Sequence, residues 1–281
     1  MESGTVRKKR SRAARTALLL TAVLLVVLCS GCSWGGNVSN YEDDEEISVP
    51  SGNFTRLVIE NRAGTIRIRS GDEDRVTGLL RKKASGTGTN LLKTVAGSVS
   101  YQVQADGDTL HLTEVFVTDD RIDFWEWKEA TYPDVSIGLE YELTVPAGIQ
   151  VVEVYQSAGN TEFTGYTGTV SIANNAGNIT LSRVSLTGDS VIALVSGNLD
   201  LSFDRFDPTA SLVTELTAGN VTINLPKNTN AGLEAGVDAG TISGNIDSLP
   251  VTNSAVTHVF GDGAARIAVR VDSGNIVIKV A

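Results

Sequence analysis

The sequence predicts an all-β fold, a parallel β-helix or β-solenoid whose short, irregular coils have about 20 residues each. A Gly-Asn pair occurs six times in the C-terminal half, at intervals of 18, 20, 22, 25 and 30 residues. Four of the six pairs are followed by two apolar residues with one residue between them, as in Ile179 and Leu181. No sustained helical period occurs after residue 31. A recurring turn combined with two-residue alternation is typical of coils that stack along one axis.

The recurring pair also predicts how the coils bend. Glycine adopts positive φ angles without a steric penalty, and asparagine tolerates the left-handed region better than most residues. Stacked coils bring the turn asparagines into register, where their amides are expected to hydrogen bond in a ladder along the axis. The predicted structural ladder consists of Asn160, Asn178, Asn198, Asn220, Asn245 and Asn275.

Residues 51–140 are less regular and are expected to form an N-terminal β region and cap, whereas residues 141–281 carry the solenoid repeats. Residues 54–69 have the pattern of a strand, a turn at Asn61-Arg62-Ala63-Gly64 and a second strand. The pair Asp106-Gly107 is a hairpin-type turn between two further strands. Residues 91–95 are compatible with a short helix.

Residues 1–31 are predicted to be an export signal of the lipoprotein type. Six basic residues lie between positions 7 and 15, and residues 16–28 are uncharged and mostly aliphatic. This order is typical of a secretory signal. Ser30 and Gly31 before Cys32 resemble the lipobox of bacterial lipoproteins. That resemblance implies lipidation at Cys32 and a membrane partner reached through the lipid anchor.

An uncleaved anchor helix is the alternative interpretation of this segment. Residues 16–36 contain no charge and are long enough to cross a hydrocarbon core of about 30 Å. Both interpretations place the rest of the chain outside the cytoplasm, because the basic flank stays on the inner side. We therefore expect an exported protein that is anchored on the extracytoplasmic face of the cell envelope.

The charge balance excludes some partners. The chain has 33 acidic and 23 basic residues. Removing residues 1–31 takes away one acid and six bases, which leaves 32 acids, 17 bases and a net charge of −15. A nucleic-acid binder needs a basic patch, so no nucleic-acid partner is expected.

Residues 32–50 contain the run Glu42-Asp43-Asp44-Glu45-Glu46 and are predicted to be an acidic tether, because like charges repel and extend a chain.

The repeats and two longer phrases resemble a known family. These phrases are Glu60-Asn61-Arg62-Ala63-Gly64-Thr65-Ile66-Arg67-Ile68 and Leu143-Thr144-Val145-Pro146-Ala147-Gly148, followed by the Ser/Ala-Gly-Asn turns. They look like the DUF4097 family, which groups with proposed adhesins similar to autotransporter heads. The resemblance covers about residues 50–281. It implies an extracytoplasmic β-helical domain and brings no catalytic residues.

The most distinctive local feature is an aromatic group, Phe124, Trp125, Trp127 and Tyr132, next to acidic residues. Aromatic faces beside acids suit sugar rings or peptide partners, because an indole offers apolar area and one donor. A second interpretation is that these rings cover the open end of the solenoid, since terminal coils need capping. The sequence leaves both roles open.

Residues for catalysis are scarce. The chain has two histidines and two cysteines, and no nucleophile elbow, phosphate loop or calcium-binding loop occurs. No catalytic residues, metal site or cofactor are therefore predicted. We expect a non-enzymatic cell-surface lipoprotein that acts as an adhesive or structural binding module for a glycan, a cell-wall polymer or a surface protein.

Two alternatives remain for the function. The acids and the base in Asp200, Asp204, Arg205 and Asp207 allow a carbohydrate-active β-helix enzyme similar to polysaccharide lyases, by analogy of fold alone. The other alternative is an accessory protein of the cell-envelope stress response.

Overall fold

The computed structural model describes residues 38–119, 122–246 and 254–280. The predicted signal, Cys32 and the first residues of the predicted tether lie outside these ranges. The strands are β1 (Ser39–Pro50), β2 (Arg56–Ala63), β3 (Ile66–Gly71), β4 (Arg75–Gly86), β5 (Val99–Asp106), β6 (Thr109–Phe116), β7 (Ser136–Pro146), β8 (Val151–Ala158), β9 (Thr161–Thr164), β10 (Thr167–Ala176), β11 (Ile179–Leu186), β12 (Asp189–Ser196), β13 (Leu199–Phe206), β14 (Ser211–Ala218), β15 (Val221–Leu225), β16 (Ala231–Ala239), β17 (Ile242–Gly244), β18 (Ala255–Phe260), β19 (Ala265–Ser273) and β20 (Ile276–Val280). The two helices of the described residues are α1 (Thr89–Gly97) and α2 (Phe124–Thr131).

The strands form two sheets that enclose one apolar core. Sheet A has the order β1, β4, β7, β3, β9, β11, β13, β15, β20 and β17. Sheet B has the order β5, β6, β2, β8, β10, β12, β14, β19, β16 and β18. Neighbouring strands are parallel except at the ends, where β1, β4, β5 and β18 pair antiparallel. The predicted all-β solenoid is confirmed.

Each level of the stack is one strand of sheet B and one strand of sheet A, which are joined by a tight corner in every level except the first. The levels follow one another in the order β6/β7, β2/β3, β8/β9, β10/β11, β12/β13, β14/β15, β19/β20 and β16/β17. This spatial order departs from the order of the chain at both ends. The last strands, β19 and β20, insert between the levels that precede them in the sequence.

Inward side chains repeat from level to level and fill the core. In the row that follows the corner, side chains that are aliphatic except for Thr161 lie above one another and are almost completely buried. The row consists of Ile66, Thr161, Ile179, Leu199, Val221, Ile276 and Ile242. Two-residue alternation puts these side chains on the inner face of sheet A. Sheet B supplies the opposite wall, for example Val154, Ile172 and Ile192.

Glycine is required at the corners. Gly197 has a φ of +142°, and a Cβ atom there would overlap the carbonyl oxygen of Gly177 in the neighbouring level. The same overlap with a glycine carbonyl recurs along the stack at Gly159, Gly177, Gly219, Gly274 and Gly240. The corner therefore selects glycine for two reasons, its backbone conformation and the close approach of the next level.

The acidic segment differs from its prediction. Ser39–Pro50 is the edge strand β1, which pairs antiparallel with β4 over its full length. The register places Glu42, Asp43 and Asp44 opposite Lys83, Lys82 and Arg81. The basic run cancels the repulsion that would extend a free acidic chain, and Ile47, which is 1% exposed, fixes the strand to the core. Residues 39–50 are thus part of the fold.

The expected boundary at residue 140 also differs from the structure. Strand β7 crosses it, and β2, β3, β6 and β7 belong to the same parallel stack as the later repeats. The predicted short helix is confirmed as α1. Its Leu92, Val95 and Ala96 are buried against the antiparallel strands at this end, so α1 covers the end of the core.

Candidate functional site

Five of the six asparagines of the predicted ladder hydrogen bond from level to level. In each step the Oδ1 atom of one asparagine accepts from the backbone N–H and the side-chain Nδ2 of the next, at 2.9–3.3 Å. The order is Asn160, Asn178, Asn198, Asn220 and Asn275. The row lies on the surface beside the glycine corners and ties neighbouring levels together.

Asn245 is not a member of this row, contrary to the prediction. Its Nδ2 donates to the carbonyl of Val280, and its Oδ1 accepts from the Val280 N–H at 2.7 Å. The ladder ends instead on Thr241, which donates through its N–H and its hydroxyl to Asn275. The reason is that the corner of this level is Gly240-Thr241, so the later Gly244-Asn245 pair lies at the end of β17.

A second row of amides, which the sequence analysis missed, lies inside the stack at one end. Asn61, Gln156 and Asn174 are 3–5% exposed. Gln156 Nε2 donates to the carbonyl of Gly64 at 2.7 Å, and Asn174 Nδ2 donates to that of Gly159 at 2.8 Å. The available signal was an amide three positions before a corner glycine, where the alternation requires an inward residue.

The aromatic group lies on and beside α2, which joins β6 to β7 at the first level. Asp123 caps this helix, because its carboxylate accepts from the Glu126 N–H at 3.0 Å. Phe124 is 3% exposed, so it packs in the core and offers no face to a ligand. Trp127 lies between Phe116 and Tyr132, with ring centroids 4.8 and 5.2 Å away. Phe124, Trp127 and Tyr132 are therefore held in place by packing.

Trp125 is half-buried, lines an open groove and is held there by a side-chain hydrogen bond. It packs edge-on against Phe124 at 5.3 Å, and its indole N–H donates to Glu114. Burial raises the pKa of Glu114, while the hydrogen bonds from Trp125 and from the Arg62 backbone act in the opposite direction. Arg62 also pairs with Asp123 at 2.8 Å. The indole is therefore held in place at the rim by a hydrogen-bonded group of charged residues.

Three adjoining hollows form what we call the corner groove, on the outer face of sheet B next to the glycine corners. Their volumes are about 450, 480 and 360 Å³. The first, beside Trp125, shares Glu114 and Asp123 with the second. The second shares Ala173 and Asn175 with the third, which extends to Arg270. The corner groove thus runs along the stack from α2 to β19.

One register row forms the floor and walls of the corner groove. It consists of Glu60, Tyr155, Ala173, Ala193, Glu215 and Arg270 on six neighbouring strands. At about 4.8 Å between strands this row is about 24 Å long. The two alanines form a low ledge between the ring of Tyr155 and the carboxylate of Glu215. Tyr155 is 45% exposed and is held by a hydrogen bond from its hydroxyl to Glu153, which raises the pKa of this tyrosine.

The four residues that suggested a lyase are not brought together as a catalytic group. Asp207 accepts from the N–H and the hydroxyl of Thr209, which lowers its pKa and closes the turn before β14. Asp200 on β13 accepts a hydrogen bond from the side chain of Asn224 on β15. Within the described ranges, no set of three or more His, Cys, Asp and Glu side chains is arranged to hold a metal ion.

The sequence profile of the Toastrack DUF4097 family matches residues 31–279. The chain belongs to this family. None of the curated proteins matches the chain significantly. The resemblance found in the sequence is confirmed, and the family extends over all strands of the described stack except the last residue of β20.

The chain also matches solved structures, among them three at 10–15% sequence identity. A proposed cell adhesion protein from Clostridium sporogenes is 15% identical, with 86% of this chain and 100% of that chain covered and a TM-score of 0.42. A proposed adhesin from Bacteroides fragilis is 11% identical, covers 86% and 97%, and has a TM-score of 0.33. A proposed lipid binding protein from Parabacteroides distasonis is 10% identical, covers 85% and 96%, and has a TM-score of 0.26.

Neither α1 nor α2 is long and apolar enough to span a membrane, and these are the helices of the part that the structure describes.

Proposed function

We propose that this Toastrack protein is a non-catalytic binding module of the cell envelope, attached through an acylated Cys32, and that its corner groove binds an extended neutral glycan. The observation that carries the proposal is the continuity of the groove, which begins beside Trp125 and then follows the row from Glu60 to Arg270, with Tyr155 in it, over about 24 Å. A linear polymer can follow such a groove from level to level.

The rings and the ledge suit sugar residues. The faces of Trp125 and Tyr155 provide apolar area for the C–H side of a pyranose, and their polar atoms are already held by Glu114 and Glu153. Ala173 and Ala193 leave room above the sheet between Tyr155 and Glu215. Because both rings are fixed before a ligand arrives, little side-chain entropy is lost on binding.

The charges of the groove favour a neutral ligand. Glu60, Glu114 and Glu215 line it, whereas Arg62 and Arg270 are paired with Asp123 and Asp238. A polyanion would be repelled by these carboxylates and by the acidic chain as a whole. Carboxylates also accept hydrogen bonds from sugar hydroxyls, which a neutral glycan supplies along its whole length.

The test is binding of the purified protein to an array of neutral polysaccharides and to cell-wall sacculi, with the variants Tyr155→Ala and Trp125→Phe. We expect Tyr155→Ala to weaken binding at least tenfold at an unchanged melting temperature, because the ring is exposed and outside the core. Trp125→Phe keeps the packing on Phe124 and removes the indole donor. Thr222→Ala, on the outer face of sheet A, is the matched control and should bind like the wild type.

The proposal fails if no array member is bound or if Tyr155→Ala binds like the wild type. Release of unsaturated uronate products from an acidic polysaccharide would show the lyase alternative instead. Binding only to a surface protein would replace the glycan by a protein partner.

A further inference from the structure

A separate pocket lies on the outer face of sheet A, on the opposite sheet from the corner groove. It has a volume of about 430 Å³ and is formed by β4, β7, β3 and β9. Arg67, Arg69, Thr77, Leu79, Thr144 and Thr164 are among its lining residues. We call it the Arg69 pocket.

Its two arginines are in different electrostatic situations. Arg67 contacts three carboxylates, Glu162 at 3.2 Å and Glu140 and Glu142 at 3.5 Å. Arg69 Nε donates instead to the hydroxyl of Thr144 at 2.9 Å. Within the described residues, no carboxylate lies within ion-pair distance of Arg69. Its guanidinium is therefore held at Nε, while both terminal nitrogens keep their donors for another group.

The neighbours of Arg69 along the register are hydroxyl side chains. Thr77 lies opposite Thr144, Thr144 opposite Arg69, and Arg69 opposite Thr164. The three threonines thus flank the guanidinium on both sides in one row across four strands. Leu79, in the adjacent row, adds an apolar wall. The pocket combines one cationic fork, three hydroxyls and a small apolar surface.

Two carboxylates limit the charge that the pocket accepts. Glu142 and Glu162 line it, and both are partly neutralised by Arg67. A group with a single negative charge can pair with Arg69, whereas a doubly charged phosphate or a polyanion would meet repulsion from these acids. Two parallel N–H···O bonds from a guanidinium match the geometry of a carboxylate.

We propose that the Arg69 pocket binds the carboxylate of an acidic sugar, with the threonine hydroxyls hydrogen bonding to the ring hydroxyls of the same unit. The pocket lies on the other sheet from the corner groove, so this site is independent of the proposed function. It gives the protein a second specificity, for an acidic unit, beside the neutral polymer of the groove.

The test is an NMR titration of the isotope-labelled protein with sodium glucuronate at constant ionic strength, with glucose and inorganic phosphate as comparison ligands. We expect glucuronate to shift the amide signals of Arg69 and Thr164, and glucose and phosphate to bind at least tenfold more weakly. Arg69→Gln should weaken glucuronate binding at least tenfold, and Arg69→Lys, which keeps the charge without the fork, should fall between the two.

Arg75→Gln is the matched control. Arg75 lies on β4 of the same sheet and also donates to a hydroxyl, that of Ser48 at 2.8 Å, but it does not line the pocket. It should bind glucuronate like the wild type, and so should Tyr155→Ala in the corner groove. Unchanged melting temperatures of the arginine variants exclude a folding defect.

Equal binding of glucuronate by Arg69→Gln and the wild type would overturn the proposal. So would tighter binding of phosphate, equal binding of glucose, or shifts confined to the corner groove.

Discussion

The row of inward side chains three positions before the corner glycines differs in chemistry between the two halves of the stack. In the levels near α1 it is made of the amides Asn61, Gln156 and Asn174, and in the levels farther away of the aliphatic residues Leu194, Leu216, Val271 and Val237. All seven are at most 5% exposed. The backbone, the register and the glycine that follows three residues later are the same in both halves.

This difference shows that the same backbone position accepts either a buried amide or a buried aliphatic side chain. An aliphatic residue contributes by burial alone, whereas a buried amide must find partners for its polar atoms. Gln156 finds three, the carbonyl of Gly64, the Nδ2 of Asn174 and the hydroxyl of Thr161, which is itself fully buried. Gln156 and Asn174 are therefore stabilised by specific pairs, whereas the Oδ1 of Asn61 is buried with no hydrogen bond among the described residues. The apolar half is stabilised by burial alone.

The largest effect is expected from a change that both halves share, the corner glycine. Gly197→Ala puts a methyl group on the carbonyl of Gly177 at a φ of +142°, which alanine rarely adopts. We expect a loss of about 3 kcal/mol in the free energy of unfolding, measured by chemical denaturation. Gly148→Ala is the control, because a Cβ there meets no atom within 4 Å and should change stability little. Similar midpoints for both variants would contradict the role of the corner.

An intermediate effect on the free energy of unfolding is expected when a buried amide of the polar half is replaced by an aliphatic residue. Gln156→Leu leaves the Thr161 hydroxyl and the Gly64 carbonyl without their amide partner, and we expect it to cost about 2 kcal/mol. Adding Thr161→Val reproduces the chemistry of the other half and should recover about half of that loss. A double-mutant cycle of unfolding free energies measures the coupling. Strict additivity of the two changes would show that the amide and the hydroxyl act independently.

The smallest effect is expected on the outer ladder, which runs through both halves. Asn198→Ala removes the acceptor of two hydrogen bonds from Asn220 and a donor to Asn178. Because the row is exposed, water replaces part of these bonds, and we expect a loss of about 1 kcal/mol. The comparison is Asn175→Ala, an exposed asparagine outside the ladder, measured by thermal unfolding. Equal melting temperatures would assign the ladder no share in stability.

The repeats were predictable because each requirement is local. Glycine at a positive φ, an asparagine after it and two alternating apolar residues are all visible within five positions, as at Gly197, Asn198, Leu199 and Leu201. The turn at Gly64 was found for the same reason. Asn245 was placed wrongly because its Gly-Asn pair is identical in sequence, while the corner of that level is formed by Gly240.

Other features needed partners that are distant in the chain. The acidic run has the composition of a tether, and only the basic run of β4, opposite it in the register, makes it a strand. The aromatic group was recognised, but the packing of Trp127 and the position of the half-buried Trp125 at the groove depend on Phe116 and Glu114 from β6. The corner groove and the Arg69 pocket each combine residues from several strands that no short window contains.

The sequence by itself determined that this protein is an acidic, all-β stack with glycine corners and an asparagine row, since backbone conformation and alternation are decided by adjacent residues. The tertiary structure alone decided the order of the levels, with β19 and β20 inserted between earlier ones, and the surfaces on which side chains from different levels meet. The physical reason is that parallel strands with similar apolar rows can pair in more than one order. Which order forms depends on the contacts of the whole stack.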